Sequence, residues 1–285
     1  MSALIEVNID GDTLKPISDL GIALLNKIEK ATGWIFSTTT AKKEGYKNII
    51  EEISKRDDIN PIDRAVIISN FRKIKREHKN KTQIVDKAIS LLEKGDNPEK
   101  LDNDWVLRFF EFCKNVSNED LQYVWAKILA NECKENSNNS FKLLNTISEI
   151  SNNEINLIRK ILKECNYGIR NLEAIGIVCI KNEYLEDINI KYDEIINLED
   201  FGIMKREIIT LQDEISFDLE NEIIKFIRMP EKKGYLNLTK YANFYRFTHI
   251  GMEIIELINE KISGDQFKKL EKAFDYEYNV ISEKK

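Results

Sequence analysis

Only two histidines, His78 and His249, occur among the 285 residues, so a hydrolytic triad would have to use one of them. His249 follows Thr248 at a predicted helix start and reads as a cap-region or packing residue. His78 lies six positions after Arg72, and such a pair has the chemistry to stabilise developing negative charge and to move a proton. On one continuous helix, however, six steps of about 100° set the two side chains roughly 120° apart, with His78 on the side of Phe71 and Ile74. Arg72 and His78 are thus catalytic candidates that the helix geometry opposes, and no G-x-S-x-G elbow offers another nucleophile.

Neither a G-x-x-x-x-G-K-[ST] loop nor a G-x-G-x-x-G turn is present, so nucleotide binding through those devices is unsupported and no cofactor is expected. The four cysteines, Cys113, Cys133, Cys165 and Cys179, are widely spaced without a C-x-x-C pair. That spacing argues against a metal site or a disulfide framework and for small buried residues in a reducing cytosol. Glu6, Asp10 and Asp12 interrupt any opening apolar run, and no stretch of about 18 uncharged apolar residues follows. The expectation is a cytoplasmic protein with neither a signal peptide nor a spanning helix.

The formal charge of −6 is unevenly spread. Between Asn60 and Lys81 seven basic residues stand against Asp63 and Glu77, a local +5 that leaves −11 elsewhere. Asn60-Pro61-Ile62-Asp63 has the form of a helix start: Asn60 as cap, Pro61 at the first helical position, Asp63 against the positive end of the dipole. Along that helix Ile67, Phe71 and Ile74 form an apolar stripe, while Arg72, Lys75, Arg76 and Lys79 share another face at i, i+3, i+4 and i+7. The basic stripe is either a solvated face or a patch for RNA, anionic lipid or an acidic protein partner.

The high charged fraction, with only 11 glycines and 4 prolines, favours long helices as the elements that carry these residues. A short strand is expected over Leu4–Ile9, ending at the turn pair Asp10-Gly11. From about Pro16, the residues Ile17, Leu20, Leu24, Leu25, Ile28 and Ile35 recur at helical spacing. They predict a helix packed on a neighbour, or an interaction segment centred on Leu20, Leu24, Leu25 and Ile28 for a membrane surface or an oligomer. The breaker Gly95-Asp96-Asn97-Pro98 marks a predicted domain boundary. Beyond it Trp105, Phe109, Phe112 and Val116 lie on one helix face. Ser117-Asn118-Glu119-Asp120 has the form of a capping box. Leu121, Val124, Trp125, Ile128 and Leu129 follow at helical spacing. Trp105, Phe109, Trp125 and Ile128 are expected to form the core of a helical hairpin, with Glu119 and Glu132 as solvated ends. Two more helices are predicted over Phe141–Ile150 and Asn153–Cys165, the second opened by Ser151-x-x-Glu154. In the last third, Leu172–Val178 and Leu198–Met204 share the form L-E-x-φ-G-I-φ, read as a helix end, a glycine and an entering strand. Ile208–Leu211, Ile223–Met229 and Tyr235–Leu238 are predicted strands.

L-E-D-F-G-I-M at 198 to 204 with Y-R-F-T-H-I-G-M-E at 245 to 253 resembles the closing half of a winged-helix module. Four carboxylates, Asp193, Glu194, Glu199 and Asp200, stand where a DNA-binding member would need cations, so the likeness implies a protein-interaction or structural wing. D-W-V-L-R-F-F-E at 104 to 111, V-S-N-E-D-L-Q-Y-V-W-A-K-I-L-A-N-E at 116 to 132 and the amphipathic segment over 14 to 36 are similar to the helical domain of the bacterial abortive-infection alpha family. That resemblance implies a setting in defence against phage, without a catalytic motif to carry over. Arg72 and His78 also share the R-x(5)-H spacing of the ribonuclease motif of the higher-eukaryote-and-prokaryote nucleotide-binding family, whose arginine and histidine act on an RNA phosphodiester. Lys73 stands where that motif has a polar residue.

The expected architecture is mainly α. N-terminal amphipathic and basic helices occupy 1–96, a helical domain 97–168, and a smaller α+β winged-helix-like domain 169–285. The expected function is a non-enzymatic, abortive-infection-type defence or interaction protein that acts through assembly with itself or a protein partner. The alternatives are an RNA-cleaving or nucleic-acid-binding effector using the basic helix, and a membrane-surface effector using the 14–36 segment.

Overall fold

A computed structural model describes residues 6–7, 15–16, 18–34, 48–135, 140–168, 175–179, 183–211, 214–218, 222–228, 240–259, 265–274 and 278–284. The chain is mainly α, with an α+β C-terminal part, and divides into two compact units, Met1–Ser148 and Glu149–Lys285. Asp10-Gly11, Ile17, Ile35, Leu172-Glu173-Ala174 and Tyr235–Leu238 lie outside the described residues.

In the first unit, β1 (Glu6–Val7) pairs with β2 (Lys15–Pro16), and α1 runs over Asp19–Thr32 from a Ser18 cap. A short helix over 48–54 (α2) precedes α3 (Pro61–Leu91), a continuous helix of 31 residues. The Asn60 side chain accepts from the Ile62 amide and Pro61 occupies the first turn, so this start is set by local chemistry. A 3₁₀ turn at Pro98–Lys100 leads to α4 (Asn103–Cys113), α5 (Glu119–Glu132) and α6 (Phe141–Glu149). The cap of α5 is Asn118, accepting from the Leu121 amide, and not the Ser117 of the predicted box.

Trp105, Phe109, Trp125 and Ile128 are all buried. Trp105 and Trp125 do not meet directly. The Phe109 ring lies between them, stacked on Trp105 at 5.2 Å and edge-on to Trp125 at 5.3 Å. Polar side chains fix how α3 lies against this core. Buried Gln122 donates to the Val116 carbonyl and to Gln83, and accepts from Lys87; Asn80 donates to the Lys114 carbonyl.

The predicted boundary at residue 96 does not exist. The Asn97 amide donates to the Cys133 carbonyl at 2.7 Å and Pro98 and Leu101 are buried, so the breaker is a turn packed on the end of α5. The second boundary falls near residue 148 rather than 168, because the segment after α7 (Asn152–Glu164) is bonded into the C-terminal sheet. Asn166 both donates to the Val178 carbonyl and accepts its amide, each at 2.7 Å.

In the second unit α7 opens with the predicted box, Ser151 capping and Glu154 reaching back to the Ser151 amide. The further elements are β3 (Tyr167–Gly168), β4 (Ile175–Cys179), α8 (Glu183–Asp187), α9 (Tyr192–Asp200), β5 (Met204–Leu211), β6 (Glu214–Asp218), β7 (Glu222–Arg228), β8 (Lys240–Phe247), α10 (His249–Ile258), α11 (Gln266–Phe274) and β9 (Tyr278–Lys284). The strands form two antiparallel sheets, ordered β3-β4-β8-β5 and β6-β7-β9.

The two L-E-x-φ-G-I-φ stretches, read alike in sequence, serve different ends. Gly202 ends α9 at φ 67°. Gly176 instead lies inside β4, where a Cβ would stand 2.1 Å from the Tyr245 carbonyl oxygen on β8. Thr248 explains the conserved-looking order of the later stretch within this chain: its hydroxyl caps α10 through the Gly251 amide and also donates to the Gly202 carbonyl, tying the α9 exit to the α10 start.

Candidate functional site

The C-terminal half of α3 is embedded through Asn80, Lys81, Ile84, Val85 and Ala88, whereas the half before residue 80 is largely exposed. At 1.5 Å per residue the whole helix is about 46 Å long, so a rod of considerable length projects from its own anchored end. Arg64 binds the Ser54 and Ile59 carbonyls at 3.0 and 3.1 Å, which ties α2 and the intervening loop to the side of α3 that carries half-buried Ile67 and Phe71.

Arg72, Lys75, Arg76 and Lys79 are exposed on this outer half, and none forms an ion pair among the described residues. The local +5 overstates the surface patch, because Arg64 is spent on carbonyls and Lys81 is 3% exposed. Four unpaired cations spaced over two helical turns are what a solvated anion-binding face requires.

The Arg72–His78 pair is not assembled. Because α3 is unbroken, Arg72 faces solvent while the His78 ring stacks on Trp34, centroids 5.8 Å apart and planes within 4°. Thr82 Oγ1 lies 3.3 Å from His78 Nδ1. His249 begins α10, exposed, with Nε2 3.0 Å from Glu253 Oε1.

The proposed interaction segment is also corrected. Leu24, Leu25 and Ile28 are buried and Leu20 is half-buried, with α1 packed on α4, α3 and the 3₁₀ turn. An apolar stripe consumed in this way leaves no face for a bilayer or a second chain, so that segment is part of the core.

A feature missed in the sequence lies where α1, α3 and α4 meet. Trp34, just beyond the end of α1, covers the Lys81 ammonium, with Nζ 3.0 Å from the ring centroid and Phe110 behind it. Burial pushes the Lys81 ammonium down to about 8, against the weaker pull of Glu111 and Glu77. Below pH 8 the folded and unfolded chains both carry this proton, and the fold bears the desolvation. Between pH 8 and about 10.5 the folded chain has lost a proton that the unfolded chain keeps, so stability climbs with pH and levels above that. Full desolvation corresponds to roughly 3 kcal/mol. The Trp34 face returns about 1–2 kcal/mol to the charged form. A rise of about 1–2 kcal/mol between pH 7.5 and 10 is expected in urea titrations, and Lys81→Met should remove that rise.

The cysteines are buried and free, and burial raises all four thiols, Cys133 and Cys179 to about 12. Among the described residues no cluster of three or more His, Cys, Asp or Glu side chains could hold a metal ion, and no helix is long and apolar enough to cross a membrane.

Fold and surface together define a mainly helical, two-unit protein that presents an exposed amphipathic helix. Residues 69–271 match the model of a family described as Protein of unknown function (DUF2806), and the chain belongs to that family. No curated protein and no solved structure matches it.

Proposed function

We propose that this is a non-enzymatic, cytoplasmic interaction protein of bacterial anti-phage defence, acting through assembly, with the outer half of α3 as its contact surface. The observation that carries the reading is the set of four exposed cations, Arg72, Lys75, Arg76 and Lys79, left without counter-ions on a helix held rigid from its other end. The defence setting rests on the abortive-infection likeness of residues 104–132. The order α7, β4, α8, α9, β5, β8, with sheet order β4-β8-β5, supports the winged-helix likeness. Exposed Asp193 and Asp200 on α9 favour a protein rather than a phosphate backbone at that helix.

Phage plating efficiency on cells expressing the intact protein, with its neighbouring genes, tests the setting. The expected result is a drop that Arg72→Glu/Lys75→Glu/Arg76→Glu/Lys79→Glu abolishes without loss of folded protein. Normal plating at full expression would remove the defence reading. A second reading, nucleic-acid binding by the same stripe, is favoured by its i, i+3, i+4, i+7 spacing. Four phosphate contacts to a single strand would give a log–log salt slope of about −3. The quadruple variant should flatten that slope.

A further inference from the structure

The face that embeds the inner half of α3 does not end where the core ends. Counting 100° per residue, Lys81, Ile84, Val85 and Ala88 lie on the same side of the helix as Ile62, Val66 and Ile74. In the outer half that side is open: Ile62 is 73% exposed, Val66 52% and Ile74 52%. Three large apolar side chains on one side of a helix otherwise built for solvent form a patch that calls for a cover.

We propose that the cover is the same helix of a second copy of this chain, packed antiparallel about a two-fold axis near residue 68. The proposal rests on the assembly reading above and names its partner and surface. Two observations select this occupant. First, the basic stripe lies about 140° round the helix from the apolar face. A membrane-binding helix needs its cations flanking the face that enters the lipid, and a polyanion would take the stripe and leave the apolar face open. Second, the face is charge-complementary to itself only when reversed. Asp63 near one end and Lys73 near the other are both exposed, and Lys73 reaches only a 4.0 Å contact with Glu77 in its own chain. Antiparallel pairing brings Asp63 level with Lys73 of the second copy, and Ile62 level with Ile74, twice over by symmetry. Parallel pairing sets Asp63 against Asp63.

The contact is isologous and closes on itself, so it gives a dimer and not a filament. It leaves both basic stripes outward, free for the partner discussed above.

Sedimentation of the full chain over a concentration series tests this. The expected result is a monomer–dimer equilibrium. Ile62→Glu/Ile74→Glu should abolish it while leaving the circular dichroism and melting unchanged, since both residues are exposed. Asp63→Lys should weaken the dimer at least tenfold, and Asp63→Lys/Lys73→Asp should restore it. A wild-type chain that stays monomeric throughout, a dimer that survives Ile62→Glu/Ile74→Glu, or a dimer indifferent to the charge swap each overturns the proposal. Binding of the monomer to anionic vesicles, lost in the isoleucine variant, would assign the face to lipid and overturn it as well. If Ile62→Glu/Ile74→Glu abolishes the dimer yet phage restriction persists, the surface stands and assembly as the mode of action fails. If the dimer persists in that variant, the surface fails and the functional reading is untouched.

Discussion

Gly251→Val is expected to unfold the C-terminal unit. A Cβ at residue 251 would lie 2.2 Å from the Ile203 carbonyl oxygen and 3.0 Å from the Phe247 ring. The oxygen is backbone, and it already accepts the Thr248 amide at 2.9 Å, so it cannot swing aside as a flexible side chain would. Relief requires α10 to move away from the α9 exit, which breaks the Thr248 bonds to Gly202 and Ile203 on which the start of α10 depends. Overpacking of this kind costs more than about 3 kcal/mol when the obstacle is main chain. Gly176→Ala should behave alike, since its Cβ would meet Tyr245 O at 2.1 Å and Arg246 Cα at 2.7 Å. Gly202→Ala is the informative control: it meets nothing within 4 Å, and only its φ of 67° opposes a side chain, a strain of about 1 kcal/mol. Thermal unfolding and soluble yield should rank Gly202→Ala well above the other two. Comparable loss in all three would show that φ, and not close approach, governs these sites.

In the N-terminal unit, Phe109→Ala is expected to lower stability by about 3–5 kcal/mol. The ring is fully buried and joins Trp105 to Trp125, so its removal takes two aromatic contacts at once and leaves a cavity walled by indoles that cannot collapse. Trp125→Ala should cost a similar amount, and the double variant clearly less than the sum, because the two residues share one contact. Urea titrations followed by near-ultraviolet circular dichroism measure both. Additive losses would mean that the two rings are energetically independent.

These elements differ in how far they could be read from the residues. The helices α3 to α5 and α7 were legible because apolar positions repeat at helical spacing and because Asn60-Pro61 and Ser151-x-x-Glu154 are local devices that need no tertiary context. The mainly α class follows from the same signals. The boundary at 96 misled because Gly95 and Pro98 report a turn, not whether the turn packs; the bond from Asn97 to Cys133 spans 36 residues of sequence. Buried polar side chains were invisible for a related reason. Lys81, Gln122 and Asn166 look like surface residues to any pattern that sorts by polarity, and only the assembled fold supplies Trp34, Lys87 or the Val178 backbone as partners. In the candidate site, the basic stripe was readable by counting. The exposure of Ile62, Val66 and Ile74 was not, since an apolar face gives no sign of where its cover stops.

The continuity of α3 through residue 80 has a thermodynamic meaning for whatever docks on the outer half. An isolated helix of that length would be marginal in water, because the first turn is costly to form. Here the embedded turns act as a permanent nucleus and the outer turns merely extend it. A partner therefore meets a backbone whose dihedrals are already set, and association needs to immobilise side chains but not to order the main chain, a saving of about 1–2 kcal/mol for each residue that a disordered segment would have had to fix.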